Sequence, residues 1–477
     1  MQRFGLPIAL VLALSTAARA QPAPAAAPSP PVSNDAALVD RAVGKLVTPA
    51  SPGAVVIVMR HGQVIARRAY GLASVELGVP MRIDHRFRIA SISKQLTAVA
   101  ILQLADAGAI ELDAPLARYL KDTPPAWAKV TVAQVLSHTS GIPSMFDVPK
   151  PTADAIAAAP SYDAFRKLLD KLPMASKPGA KHTYNNWGYV LLAQLIEQHT
   201  GTPYCAYVAQ KLLAPLGMTQ TTCADLHVIV PGLVTGYGRD VNHRNILPDP
   251  FPLGGLLAPA GGWISTADDL ARWAVALHGG KLLSPAAYQR MIAPTALAGA
   301  GGKTVPYGFG TRTRTDDGRF IVAANGDVPG FHSEIAYDRA CDCIAIGLYN
   351  FQLYNFGSPY RFLSRRMLAI ARGQPLPDLA PAPMTDEARA RLVGAYTSKG
   401  TSHRVIQLDG GVLYSKEDGD PGRDELVPLG NDVFAFGEDD DSRIAFLSEN
   451  GTVTGLRFWM DGASPDDFSY TQQRVAK

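Results

Sequence analysis

A serine and a lysine stand one helical turn apart in Phe87-Arg88-Ile89-Ala90-Ser91-Ile92-Ser93-Lys94-Gln95-Leu96-Thr97. Residues at that spacing share a helix face, so the Lys94 ammonium is placed beside the Ser91 hydroxyl. A serine becomes a useful nucleophile when a neighbouring group takes its proton and donors await the oxyanion that follows. At a helix start Ser91 would also lie in the positive end of the helix dipole. On these four residues alone, a serine that merely caps a helix fits as well. His138, in Ser137-His138-Thr139-Ser140-Gly141, sits among turn residues with no carboxylate near it in sequence. It reads as a brace for its loop rather than a base.

A reactive serine needs a rigid frame. Ile92, Leu96, Val99 and Ala100 recur at helical spacing and predict a core helix, with Gly108 ending it. Ahead of it, a β-branched run over 52–59, the turn Arg60-His61-Gly62-Gln63 and a return run over 64–68 predict a hairpin. Residues 178–189 form a polar loop that runs into an amphipathic helix over 190–198, closed by Gly201. The irregular stretch 217–259 reads as a loop that walls a substrate cleft or as a connection without function. Ser265 or Thr266 caps a further helix. Strands are predicted over 320–323, 330–337 and 343–349. Residues 392–470 carry short alternating runs, such as 405–408, 433–436 and 456–460, and predict a small all-β domain. The acidic run Glu438-Asp439-Asp440-Asp441 lacks EF-hand spacing and reads as a hairpin turn.

The chain opens with Arg3, a short apolar run over 6–14 and Ala18-Arg19-Ala20, which has the small-x-small form of a signal-peptidase site. We expect a signal peptide over 1–20, cleaved after Ala20, and a mature protein that is periplasmic or secreted. A Pro/Ala-rich linker over 21–34, a large domain over 35–372, a second linker over 373–386 and the all-β domain over 387–477 would follow. No stretch is long and apolar enough to span a bilayer. A net charge of only +3, with both signs interspersed, leaves no footprint for nucleic acid or an anionic membrane. Four cysteines in an exported chain allow two disulfides. Cys205 with Cys223 is the favoured pair, whereas a bridge between Cys341 and Cys343 in a β-like run would be strained. No zinc-ligand spacing is present, and no metal or cofactor is expected.

Tyr184-Asn185-Asn186 is the one Y-x-N in the chain and lies 93 residues past Ser91, in a loop entering a helix. Segments 87–94, 136–143, 184–201, 215–218 and 261–270 follow one another in order. With these motifs the sequence resembles the serine β-lactamase-related superfamily over roughly residues 38–370. That superfamily includes class C β-lactamases, low-molecular-weight penicillin-binding proteins, D-aminopeptidases and β-lactamase-like carboxylesterases. The resemblance implies an α/β (α+β) fold of the β-lactamase/transpeptidase type, an antiparallel sheet flanked by helices plus an all-helical region. The C-terminal part, with Gly394-Ala395-Tyr396 near its start, is similar to lipocalin-like modules and implies a small barrel-like domain. By the same resemblance Ser91 is the acylated nucleophile and Lys94 keeps it deprotonatable. Tyr184 acts as base and then acid, and Asn186 holds the substrate and the lysine. A phenol facing an ammonium has its phenolate favoured, so the Tyr184 pKa is expected to fall. The Ser91 backbone N–H and a strand edge after the third motif would receive the oxyanion.

The third motif departs from the family pattern. K-T-G or H-x-G ahead of a P-G-F-like turn aligns with Ala323-Ala324-Asn325-Gly326-Asp327-Val328-Pro329-Gly330-Phe331. Gly326 is kept, and with Asp327 it is assigned to substrate binding, but Ala324 stands where the family has Lys or His. Loss of that cation weakens the binding of a substrate carboxylate and favours simple esters over β-lactams and acyl-D-Ala-D-Ala peptides. His332 is expected to point elsewhere. The reading is an exported serine hydrolase that forms an acyl-enzyme at Ser91 on an ester or amide, with a small molecule or peptide as substrate. Its alternatives are a β-lactamase or D-amino-acid peptidase proper, and a non-enzymatic descendant that binds cell-wall fragments or a partner protein.

Overall fold

Strand Ala54–Arg60 is buried on both sides, and its side chains divide alternately between two cores. Val55, Ile57 and Met59 pack with helices Ser93–Asp106 and Ala267–His278 on one face. Ala54, Val56 and Val58 pack with helices Asn34–Gly44 and Pro359–Ala371 on the other. An apolar run without polar alternation is what a strand covered on both faces requires. The computed structural model describes residues 34–225, 228–239, 245–248, 255–295, 297, 305–351, 359–398, 403–418, 423–437, 439–460 and 469–475. The expected signal peptide, residues 21–33 of the first linker and parts of the 217–259 stretch lie outside them.

Among the described residues the central sheet has six antiparallel strands. Their order across the sheet is Arg312–Asp316, Arg319–Val328, Phe331–Asp338, Cys343–Tyr349, Ala54–Arg60 and Gln63–Tyr70. The early hairpin therefore completes the sheet beside its last strand, with Ala54 facing Tyr349 and Arg60 facing Cys343. Helix Asn186–Thr200 lies in the helical region and is buried continuously from Trp187 to Ile196. Its sequence reads as amphipathic, but other helices surround it and no face meets solvent along that stretch. Gly201 ends it in the left-handed conformation at φ 68°. Among the described residues no helix is long and apolar enough to cross a membrane.

Cys205 and Cys223 are bonded and tie helix Tyr204–Val208 to strand Thr222–Cys223. Cys341 and Cys343 are bonded as well, against expectation. Cys341 belongs to the turn ahead of strand Cys343–Tyr349, and Asp342 has a φ of 46°, so the two cysteines do not share one pleated run.

The C-terminal strands close into an eight-stranded barrel, sealed where Tyr396 pairs with Arg474. Tyr396, Leu413, Phe434, Phe446 and Leu456 fill it, each burial worth about 1.5–3 kcal/mol. Asp439, Asp440 and Asp441 of the acidic run begin strand Asp439–Glu449 rather than forming a turn, because that strand pairs into the barrel ladder, and Glu438 lies outside the described residues.

Candidate active site

Strand Phe87–Arg88 pairs with Trp263–Ser265 and leads straight into the Ser91 segment. Ala90 then adopts φ 46°, a left-handed conformation that a side chain seldom tolerates. That residue swings the chain into a 3₁₀ turn, Ala90–Ile92, ahead of helix Ser93–Asp106. Ile89 N–H donates to the Trp263 carbonyl at 3.0 Å, and Trp263 N–H donates to Ser93 Oγ at 3.2 Å. Ser91 is thus fixed from both sides.

Lys94 has no exposed surface. Its Nζ lies 3.0 Å from Ser91 Oγ and donates to the Ala260 carbonyl at 2.6 Å. Burial, helped by the guanidinium of Arg312, holds its pKa well below the usual lysine range. Gly310 makes room for this helix, because its own φ is 66° and a Cβ there would come within 2.7 Å of the Lys94 carbonyl. Tyr184 donates its hydroxyl proton to Ser91 Oγ at 2.7 Å. Burial pushes its phenol up to about 12, although the bond to Ser91 and the charge of Arg312 pull the other way. The expected lowering by Lys94 is therefore reversed. The same desolvation that raises the phenol disfavours the lysine charge that would have favoured phenolate.

His138 is buried at φ 61°, and its Nδ1 accepts from the Asn185 backbone N–H at 3.1 Å. Its ring centroid lies 4.4 Å from that of Tyr184. Burial keeps the imidazole neutral, which fits a brace for the tyrosine loop. Asn185 caps the following helix by accepting from Gly188 N–H at 3.2 Å. Asn186 lines the cleft, and its Nδ2 faces Met145 Sδ at 3.3 Å. It makes no hydrogen bond to Lys94, so that part of its expected role is corrected. The Ala260 carbonyl occupies the lysine instead.

Strand Arg319–Val328 runs further than its apolar residues indicate, because its last part pairs with Phe331–Asp338 through a tight turn. Its pairing with Arg312–Asp316 stops at Ala323, which leaves the edge beyond free to meet Ser91. A Cβ on Gly326 would come within 2.3 Å of the Ile89 carbonyl and 2.8 Å of the Ser91 nitrogen. Only glycine lets this strand lie against the Ser91 amide. Asp327 faces the cleft, and its Oδ1 is 2.6 Å from Nδ1 of the buried His332 across the hairpin. Burial alone would raise the Asp327 pKa, but His332 and Asn325 hold it below the ordinary carboxylate value. His332 does not line the cleft.

The cleft measures ≈ 690 Å³ and includes Ser91, Tyr184, Asn186, Ala324 and Asp327. Met145, Phe146, Ala157, Trp187, Leu257 and Val328 give it an apolar wall. Arg312 also lines it, a residue the sequence reading missed. Strand Arg312–Asp316 alternates arginine and threonine and carries no apolar run to reveal it. The signal lay in register, since Arg312 sits opposite Ala323, next to the alanine of the third motif.

A serine in the turn that starts a helix, between a buried amine and a phenol and at a sheet edge opened by glycine, has the architecture of the serine acyl-transfer folds. The chain belongs to the beta-lactamase family, whose model matches residues 39–366. It is 37% identical over 178 residues to esterase EstB of Burkholderia gladioli, covering 35% of this chain and 45% of that protein. It is 28% identical over 290 residues to penicillin-binding protein 4* of Bacillus subtilis, covering 58% of this chain and 63% of that protein. The chain thus spans less than two thirds of the length of either relative. An octameric penicillin-binding protein homologue from Pyrococcus abyssi shares the fold, with a TM-score of 0.63 and 24% identity over 92% of this chain and 99% of that one.

Proposed function

We propose that the protein is a serine hydrolase that cleaves an ester or amide through an acyl-enzyme at Ser91. The observation that carries this reading is the placing of Ser91 Oγ 2.7 Å from the Tyr184 hydroxyl and 3.0 Å from Lys94 Nζ. Lys94, whose ammonium form is disfavoured by burial, takes the Ser91 proton as Oγ bonds to the substrate carbonyl. The developing oxyanion is met by the Ser91 N–H and the free strand edge at Gly326. Tyr184, kept protonated, passes its proton to the departing oxygen or nitrogen and is recharged from Lys94. Water then attacks the acyl-serine along the reverse route and returns the enzyme to its starting state. The name of the EstB relative supports acyl transfer from an ester, and the apolar part of the cleft wall offers room for hydrophobic side chains beside the scissile bond of an ester or an amide.

Intact-mass spectrometry after exposure to a fluorophosphonate tests the reading, with Ser91→Ala as control. A single adduct that needs Ser91 is expected, and its absence under conditions that label a known serine hydrolase would overturn the proposal. Export is part of the same proposal, supported by Arg3, the apolar run over 6–14 and Ala18-Arg19-Ala20. N-terminal sequencing of the secreted product should begin at Gln21.

A further inference from the structure

We propose that the cleft is built for a dipolar, peptide-like substrate, with its ammonium on Asp327, its carboxylate on Arg312 and its scissile carbonyl at Ser91. The inference rests on the hydrolase reading above and names the substrate class of that site. Arg312 is exposed, lines the cleft and makes no ion pair with any described residue. It is nonetheless close enough to lower the pKa values of Lys94, Tyr184 and Asp327. The carboxylate of Asp327 is 42% exposed, with Oδ1 beside His332 and Oδ2 accepting from Asn325 Nδ2 at 3.3 Å, and neither oxygen is paired with the guanidinium. Two opposite charges held apart in one cleft, each with a face left open, are two binding poles.

Their places along the strand set the geometry. Arg312 is opposite Ala323, Gly326 touches the Ser91 amide, and Asp327 follows directly. From Ala323 to Asp327 the strand rises about 13 Å, so the nucleophile falls between the two poles. A dipeptide spans about 6 Å from its amine to its carboxylate carbon, and the long arginine side chain covers the remainder. Ala324 contributes only a methyl group to the wall between them, and the missing third-motif cation is supplied from the neighbouring strand. The sequence-based bias against carboxylate-bearing substrates is thereby removed. On such a dipeptide Ser91 Oγ bonds the carbonyl carbon, the C–N bond breaks, and the serine proton leaves on the departing amine. Water then frees the acyl half as the second amino acid.

Calorimetric titration of Ser91→Ala protein removes turnover from the measurement. Alanyl-alanine is supplied free, N-acetylated, C-amidated and blocked at both ends, in D,D and L,L forms. Blocking either end should weaken binding about fivefold in at least one stereochemical series, the scale of a solvent-facing charge pair. In the same background Arg312→Gln should erase only the dependence on the C-terminus, and Asp327→Asn only that on the N-terminus. Equal affinity for the four forms, dependence on one end alone, or no binding by any form overturns the inference. Protection of wild-type Ser91 from fluorophosphonate by the same peptides gives a second reading that needs no variant. The hydrolase proposal stands or falls separately, on whether the unprotected wild type is labelled.

Discussion

Tyr184 donates to Ser91 Oγ at 2.7 Å while its ring centroid lies 4.8 Å from the amine of Lys94. One dry environment acts on both groups in opposite senses, moving the lysine down and the phenol up. Two side chains flanking a single hydroxyl are thereby moved apart in acidity, the separation that the proposed roles of proton acceptor and proton donor call for.

Removal of the donor should be costly but not absolute. Tyr184→Phe is expected to lower kcat on a p-nitrophenyl ester by about two to four orders of magnitude, and Ser91→Ala should abolish turnover. A loss below tenfold in the tyrosine variant would place the proton transfer elsewhere.

Activity should depend on pH through Lys94. In the proposed mechanism its neutral form is the competent one, and its pKa is held well below the ordinary 10.5 by burial and by Arg312. The rate therefore rises with pH through that depressed value. Arg312→Gln removes a cation that disfavours the ammonium, so the lysine pKa rises and the acid limb of kcat/KM moves to higher pH. An unmoved limb, or one moved to lower pH, contradicts the assignment.

Gly326→Ala should separate stability from chemistry. The new methyl group would collide with the Ile89 carbonyl and the Ser91 amide and push the strand off the nucleophile. Loss of an oxyanion donor costs about 10²–10³ in kcat, and a drop of that order in ester turnover and in fluorophosphonate labelling is expected. Retention of full activity would show that the oxyanion is bound by other groups.

The Cys205–Cys223 bond closes a loop with a sequence separation of 18. Replacing both cysteines by serine should cost about 3 kcal/mol of unfolding free energy, read from urea denaturation. An unchanged urea midpoint would mean that strand Trp263–Ser265 alone secures the strand carrying Cys223.

That Ser91, Lys94 and Tyr184 lie together was legible because a three-residue spacing on an apolar helix and an isolated Y-x-N declare themselves locally. The early hairpin and strand Cys343–Tyr349 were legible for the same reason, being runs of β-branched residues. Arg312 was not, since its strand has polar side chains and its meaning depends on which residue it faces across the sheet. The acidities of Lys94 and Tyr184 were also hidden. Sequence shows that the two meet, but the direction of each shift depends on burial by segments as distant as Ala260. His138 was read as a brace from its turn-rich neighbours, and its bond to Asn185 N–H has that character.

The order of the central sheet bears on how the chain reaches this state. Strand Ala54–Arg60 is made early yet finds its partner, Cys343–Tyr349, only at the far end of the domain. Until residues 343–349 are available, an apolar strand offers an unpaired edge to any neighbour. Such distant pairing slows folding and leaves incomplete chains prone to association. A chain ending before Cys343 should therefore accumulate as aggregate rather than as a smaller folded unit, and the nucleophile can be positioned only in a nearly finished molecule.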